Sequence, residues 1–293
     1  MVQYVVLSEG CAPPARLPPI RGRGTGIRRA AVCASARGPR PVTYGRRAPP
    51  SAENRRTVER AGTAVASEIE NWLAGASIDP EVTALRPDYR ALVVVAEGLR
   101  PGPSDADSER LLAAAEAGAV DPETHPHVLA WREAFRAFGA KPKRTRPSVD
   151  ALLRRAPDGL PRVDRLTDLY NAISVAHVLP LGGEDLAHYT GPARLTRADG
   201  SEPFTTSVGG DQATEQPRPG EVVWRDDAGV TCRRWNWRQC VRTRLSQDTT
   251  RAVFILDALG PLDDAALDAA GEALTEALLT ASPGASAARR LLR

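Results

Sequence analysis

The hydrophobic pattern of this chain changes period once, near Pro180, and that switch limits the folds open to it more than any other feature. Upstream, apolar residues recur at helical spacing. Val58, Val65, Ile69 and Trp72 follow Ser51, which can cap a helix running to about Leu73. Ser104 or Asp105 opens a second helix through about Ala117, and residues 125–138 form a third, stopped by Gly139. Ser148 caps residues 149–155, and residues 163–178 carry Leu166, Leu169, Tyr170, Ile173 and His177 around one side. Ala91-Leu-Val-Val-Val-Ala96 is a short buried-strand signal ended by Gly98 and Pro101. Downstream the period is two. Residues 193–196, 221–225, 230–238 and 251–256 read as strands, with Asp226-Asp-Ala-Gly229 as a hairpin turn. A last amphipathic helix has Asp263 or Asp264 as cap and Leu267, Ala270, Leu274 and Leu278 as its buried stripe. Helices first and strands later give an α+β fold, a mostly antiparallel β core flanked by helices.

Residues 1–50 are rich in Pro, Gly, Ala and Arg and show no periodicity, so they are expected to be a disordered tail. An Arg-rich, acid-poor leader fits a transit peptide, and a mis-assigned start codon fits equally well. Residues 51–293 are expected to form a single domain, long enough for a substantial core. No apolar run reaches the length of a membrane span, and residues 2–7 are too short for a signal-peptide core, which points to the cytoplasm. Cys11, Cys33, Cys232 and Cys240 lack CxxC spacing and are expected to be reduced thiols.

Charge is unevenly placed. Residues 1–60 hold twelve arginines against Glu9, Glu53 and Glu59, a balance of +9, so the overall +3 leaves the remainder at −6. An acidic body excludes diffuse nucleic-acid binding and makes any basic surface local. One cluster qualifies: Lys141, Lys143, Arg144 and Arg146. A second basic stretch is Arg233-Arg-Trp-Asn-Trp-Arg-Gln239, with no acidic residue from Val230 to Gln247. Tryptophan and arginine together supply stacking faces and anion-binding forks, which suits nucleotides, while a strand tryptophan also suits a core. If the strand pattern holds, Trp235 and Trp237 share one face with Arg233 and Gln239, and Arg234, Asn236 and Arg238 share the other.

Several chemistries lack their residues. There is no GxxxxGK[ST], no strand-linked GxGxxG and no GxSxG. His125-Pro-His127 has no third ligand at useful spacing, and no metal is expected. Ser174 and His177 share a helix face with Asp168 two turns from His177, yet nothing beside Ser174 supplies an elbow or oxyanion hole. Leu179-Pro-Leu-Gly-Gly-Glu-Asp185 has two glycines that let backbone N–H groups approach a ligand, or that simply turn the chain from helix to strand. Glu184 and Asp185 then orient water, bind a cation or stand in solvent.

Trp131-Arg-Glu-Ala-Phe-Arg-Ala-Phe-Gly139, Arg146-Pro-Ser-Val-Asp-Ala-Leu-Leu-Arg-Arg155, Leu160-Pro161 and Asp168-Leu-Tyr-Asn-Ala-Ile-Ser174 form an ordered series of motifs. The glycine motif 179–185, Pro219-Gly-Glu221 and Cys232-Arg-Arg-Trp-Asn-Trp-Arg-Gln239 continue it. Together they resemble the freestanding B3/B4 domain proteins, which are similar to the editing module of the phenylalanyl-tRNA synthetase β subunit. The resemblance covers about residues 65–260, with Thr167 and Leu181 as small departures, and the first fifty residues match nothing in it. It implies a B3/B4 architecture and hydrolysis, in trans, of the aminoacyl ester of a mischarged tRNA. One branch of the family is associated with tRNA-Arg charged with canavanine.

By motif match the resemblance places Asn171, Ser174, Gly182, Gly183, Asp185 and Glu221 near the scissile ester, with Asn236 and Arg238 opposite. Gly182 and Gly183 would offer backbone donors, and Asn171, Ser174 and Asn236 would orient the water and α-amino group. Arg234 and Arg238 would hold terminal phosphates, and Lys143, Arg144 and Arg146 the acceptor stem. Asp168, Asp185 or Glu221 would meet a cationic amino acid. An activated ester needs only a placed water and a dipole for the oxyanion, so no cofactor is expected. The expected partners are misacylated tRNA and an aminoacyl-tRNA synthetase, with no membrane and no DNA. Two other functions fit the same residues: a non-catalytic tRNA-binding or synthetase-associated module, and a small-molecule amino-acid sensor.

Overall fold

The computed structural model describes residues 68–293. The expected tail over residues 1–50 and the start of the helix after Ser51 lie outside the described residues; its end is helical over residues 68–75 (α1). The chain continues through β1 (Ser77–Ile78), α2 (Pro80–Leu85) and β2 (Arg90–Glu97). Four helices follow: α3 (Ala106–Ala117), α4 (Pro126–Ala137), α5 (Ser148–Arg155) and α6 (Arg165–His177). The second half is mainly strand: β3 (Leu181–Asp185), β4 (Arg194–Arg197), β5 (Phe204–Val208), β6 (Asp211–Glu215), β7 (Val222–Asp226), β8 (Gly229–Arg233), β9 (Arg238–Gln239) and β10 (Arg251–Ala258). Helix α7 (Asp264–Ala281) and β11 (Ser286–Leu292) close the fold. No helix among the described residues is long and apolar enough to cross a membrane.

Two sheets carry the architecture, in the orders β11-β2-β10-β3 and β1-β4-β7-β8-β9, and β5 and β6 form a separate hairpin. Every pairing is antiparallel except β1 with β4, so the fold is α+β with a mostly antiparallel core. Strand β2 shows why its sequence is apolar without alternation. Leu92, Val94 and Ala96 pack with Leu166, Leu169 and Ile173 of α6 and with Leu267, Ala270, Leu274 and Leu278 of α7. Ala91, Val93 and Val95 face the other way, onto Trp131 and Phe135 of α4 and Leu195, Val222 and Trp224 of the second sheet. A strand covered on both faces has no polar side to show.

Helix ends follow their sequence signals in most places. Asp105 caps α3 by accepting from the N–H groups of Asp107 and Ser108, while Ser108 Oγ accepts from the Asp105 N–H. Asp164 caps α6 and Asp263 caps α7. Ser148 is a correction: Pro147 occupies the cap position of α5, and Ser148 Oγ has no hydrogen-bond partner. The Asp226–Gly229 hairpin forms as expected, and Asp226 Oδ1 accepts from the N–H groups of Ala228 and Gly229.

Two larger departures reshape the second half. Residues 181–185 are a strand, not a turn, because the left-handed Val178 (φ 53) ends α6 early enough for the chain to join β10. Residues 230–238 are not one strand: Arg234 and Trp235 adopt φ of 49 and 67, which reverses the chain between β8 and β9. The period-two assignment of faces therefore fails beyond Arg233. Strands β1, β5, β6 and β11 were not legible; β5 and β6 show only weak alternation, and β11 is Ser-Ala-Ala-Arg-Arg-Leu-Leu.

Trp235 is wholly buried, with its ring 4.9 Å from Tyr89, 5.4 Å from Trp131 and 6.2 Å from Phe138. Replacing Trp235 with Ala is expected to lower unfolding free energy by about 3–5 kcal/mol, measured by urea denaturation.

Candidate functional site

Strand β3 is the last in its sheet, so one of its edges meets no strand. A cavity of about 90 Å³ opens along it, walled by α6, β10, the 234–237 turn and the inner face of β7 and β8. The register explains how the glycines serve this wall. Asp257 N–H donates to Pro180 O at 3.0 Å and Gly182 lies opposite Ile255, so Gly182 points its backbone groups at β10. Gly183, one residue on, turns its N–H and carbonyl to the open edge; the carbonyl accepts from Gln239 Nε2 at 3.1 Å. A Cβ on Gly182 would lie 2.7 Å from Gln239 Nε2, and one on Gly183 would lie 2.7 Å from Phe254 Cε1. Close packing against the rings of Phe254 and Tyr170 thus requires Gly183, whereas at Gly182 only the movable end of Gln239 is in the way, and only Gly183 of the two offers an outward N–H.

Polar groups converge on this space without partners. Asn171 Nδ2, Asn236 Oδ1, Arg238 Nε, Trp237 Nε1 and Ser148 Oγ are buried and make no hydrogen bond, and all belong to residues on the cavity wall. Buried polar groups are ordinarily satisfied, so a concentration of orphans marks a place for a polar ligand or for water. The Trp237 ring carries two cations, with Arg234 Cζ 4.2 Å and Arg238 Cζ 4.8 Å from its centroid.

Asp257 is the buried acid of the wall and was not among the sequence candidates. It lies on the same face of β10 as Val253 and Ile255, 2% exposed. Tyr89 Oη donates to its Oδ1 at 2.6 Å and Asn236 Nδ2 to its Oδ2 at 3.2 Å. Burial pushes its pKa up to about 7, against the lowering effect of the Tyr89 and Asn236 bonds and of the nearby Trp224 indole. The signal was present: one acid in the apolar run Ala252-Val-Phe-Ile-Leu-Asp-Ala-Leu259. Glu184 is the other wall carboxylate. Burial raises its pKa, opposed by hydrogen bonds from Thr243 and Tyr189, whose hydroxyls lie 2.6 and 2.9 Å from Oε2. Burial also holds the Cys232 thiol well above its ordinary pKa, so it is no thiolate.

Of the sequence candidates, Asn171, Gly182, Gly183, Asn236 and Arg238 stand on the cavity wall. The others have tasks elsewhere. Ser174 is fully buried and donates to Leu179 O at 2.6 Å, which ties the end of α6. Asp185 accepts from Ala187 N–H and from Thr249 Oγ1 at 2.7 Å. Asp168 Oδ1 accepts from Val163 N–H, and burial raises its pKa. Glu221 takes a two-bond pair from Arg233, at 2.8 and 3.0 Å, and lies 3.5 Å from Arg234 Nε. Arg238 Nη2 is shared with Glu215 at 2.8 Å. Lys143 and Arg144 are exposed and Arg146 is half-buried, in the loop that leads into α5 and Ser148. His127 is structural: Nδ1 lies 2.7 Å from Val178 O, and Nε2 accepts from Trp131 Nε1 and Leu259 N–H. No group of three metal-ligating residues gathers among the described residues.

Every wall residue falls within the stretch that matches a known family. Residues 130–279, just over half of the 293, match the B3/4 domain model, and the chain belongs to the B3/4 domain family. Among solved structures it is similar to an N-terminal fragment of the phenylalanyl-tRNA synthetase β subunit from Pyrococcus horikoshii, at 11% identity and a TM-score of 0.40. That alignment covers 74% of this chain and 50% of the fragment, so the chain spans about half the fragment's length. No curated protein matches.

The raised pKa of Asp257 has a consequence for stability. A carboxyl that holds its proton more tightly when folded contributes stability below its ordinary pKa of 3.8 and loses it as pH rises through about 7. Asp257→Asn removes that loss. The unfolding free energy of the variant relative to the natural protein is expected to increase steadily from pH 4 to pH 7, as measured by urea denaturation across that range.

Proposed function

We propose that this protein hydrolyses the aminoacyl ester of a mischarged tRNA at the β3-edge cavity. The observation that carries this reading is the gathering of unpartnered buried polar atoms from Asn171, Asn236, Trp237 and Arg238 around one open strand edge. Family membership supports it, as does the absence of any need for a metal or a nucleophilic serine in cleaving so activated an ester. The Gly183 N–H would polarise the ester carbonyl and receive the developing negative charge. Asn171 would orient the bound aminoacyl group through its free amide donor. Arg238, and Arg234 stacked on Trp237, would face the terminal phosphates. Glu184 replaces Asp168, Asp185 and Glu221 as the group to meet the α-ammonium or a cationic side chain such as that of canavanine, because it lines the cavity and those three do not.

The acceptor stem would lie along the loop of Lys143, Arg144 and Arg146. No ion pair within 4 Å is formed by these three side chains among the described residues, so their charge is available to phosphates. A module that binds tRNA without turnover would use the same wall for binding, and the deacylation assay separates the two. Incubation with misacylated tRNAs, tRNA-Arg carrying canavanine among them, tests the reading: ester loss no faster than the spontaneous rate overturns it.

Asn171→Ala is expected to lower kcat/KM for deacylation by about 100-fold. Its melting temperature should match that of the natural protein, because Asn171 Nδ2 has no hydrogen bond to lose. Replacing Lys143, Arg144 and Arg146 together with Ala should weaken tRNA binding uniformly. It should also flatten the log–log salt dependence of the binding constant by about 2–3, measured by filter binding at several salt concentrations.

A further inference from the structure

We propose that Asp257 is the proton acceptor for the attacking water, held ready by Tyr89 and Asn236. The inference rests on the hydrolytic reading of the cavity and assigns to it a residue outside the family's quoted motifs. Asp257 Oδ1 accepts from Tyr89 Oη at 2.6 Å and Oδ2 from Asn236 Nδ2 at 3.2 Å, and the Trp224 indole stands beside the carboxyl as a third donor. The two oxygens together accept about four bonds, so room for one more remains. Asn236 donates to Asp257 with its amide nitrogen and leaves Oδ1 without a partner on the cavity wall. A water that gives one hydrogen to Asp257 and the other to Asn236 Oδ1 keeps its lone pairs free, directed towards an ester whose carbonyl is held at Gly183 N–H.

The other groups on the wall are poor rivals. Glu184 Oε2 is already the acceptor for Thr243 and Tyr189, and Gln239 Nε2 lies 3.5 Å from Oε1. Cys232 and Tyr170 are buried groups whose protons are held more tightly than usual, and no histidine or lysine lines the cavity. Burial has meanwhile brought the Asp257 carboxyl to a pKa of about 7, near the pH at which a general base works best. The groups that face it are Tyr89 just before β2, Trp224 of β7, Cys232 of β8 and Asn236 of the turn, with Glu184, Arg238 and Arg244 elsewhere on the wall.

The step balances. The water oxygen bonds to the ester carbonyl carbon, one water proton passes to Asp257, and the carbonyl electron pair becomes an oxyanion at Gly183 N–H. Collapse re-forms the carbonyl and breaks the bond to the ribose oxygen, which takes the proton from Asp257. The products are the free amino acid and a tRNA with its terminal hydroxyl restored, and Asp257 returns to its starting state.

The test uses the full chain and single-turnover hydrolysis of tRNA-Arg charged with canavanine, alongside a panel of other mismatched aminoacyl-tRNAs, from pH 5 to pH 9. Asp257→Asn should slow hydrolysis by about 10²–10⁴-fold while tRNA affinity is kept, and its pH profile should lose the plateau of the natural protein. Formate should restore at least tenfold to Asp257→Ala. Tyr89→Phe removes a bond that stabilises the carboxylate, so the acidic limb of its profile should move to higher pH. A melting curve for each variant separates loss of fold from loss of the acceptor. Hydrolysis by Asp257→Asn within threefold of the natural protein overturns the assignment and leaves the deacylase reading standing. An unshifted profile in a folded Tyr89→Phe also counts against it. If the natural protein cleaves none of these esters, both readings fall together.

Discussion

The reversal at Arg234 and Trp235 is the constraint on which the rest of the site depends. Two successive non-glycine residues in the left-handed region cost about 1–2 kcal/mol each, because Cβ crowds the following carbonyl. What holds them there is the burial of Trp235 among Tyr89, Trp131 and Phe138, each edge or tilted contact adding about 0.5–1.5 kcal/mol beyond area. The Trp235 N–H also donates to Val222 O at 2.7 Å, which ties the turn to β7. Once Trp235 is anchored, Asn236 reaches Asp257, and Trp237 swings out to carry Arg234 and Arg238. A continuous strand would have placed Trp235 and Trp237 together in the core and left no cavity wall.

The second constraint is electrostatic. Strand β10 is covered on both faces, so Asp257 is shut off from bulk solvent and relies on the Tyr89, Asn236 and Trp224 donors to offset that loss. An apolar residue at this position would pack at less cost. The fold tolerates an acid there, and places beside it orphaned donors and acceptors that are equally unfavourable in an empty core. Such local penalties collect where a ligand or a reaction relieves them.

The helices and the fully covered strands were legible because their signals are long and redundant. The apolar run 91–96, the cap at Asp105 and the stripe Leu267–Leu278 each combine several residues that agree. The site was legible only in part. Asn171, Gly182, Gly183, Asn236 and Arg238 reach the wall, whereas Ser174, Asp185, Asp168 and Glu221 are equally polar and equally embedded in motifs but turn into caps and ion pairs. Sequence spacing cannot separate those outcomes, since a motif fixes the neighbourhood of a residue and not the direction of its side chain. Asp257 was passed over for the opposite reason. It stands in no motif, and only the alternation of β10 against a second sheet gives it a role. The reversal at Arg234 was hidden because neither residue is a glycine, the usual marker of that backbone conformation.

Gln239 bears on the free edge of β3 in a second way. An unpaired strand rim built from two glycines has little side-chain bulk to repel another chain, and would ordinarily invite a stray strand to dock. The Gln239 amide occupies the Gly183 carbonyl, and Thr243 O takes the Asp185 N–H at 2.7 Å. Two of the rim's outward hydrogen-bonding positions are thereby spoken for by the protein's own chain. Leu181, Gly183 and Asp185, whose backbone groups face outward, are themselves buried, so the rim offers little to template an intermolecular ladder. The Gln239 contact that closes this rim therefore guards the fold against self-association.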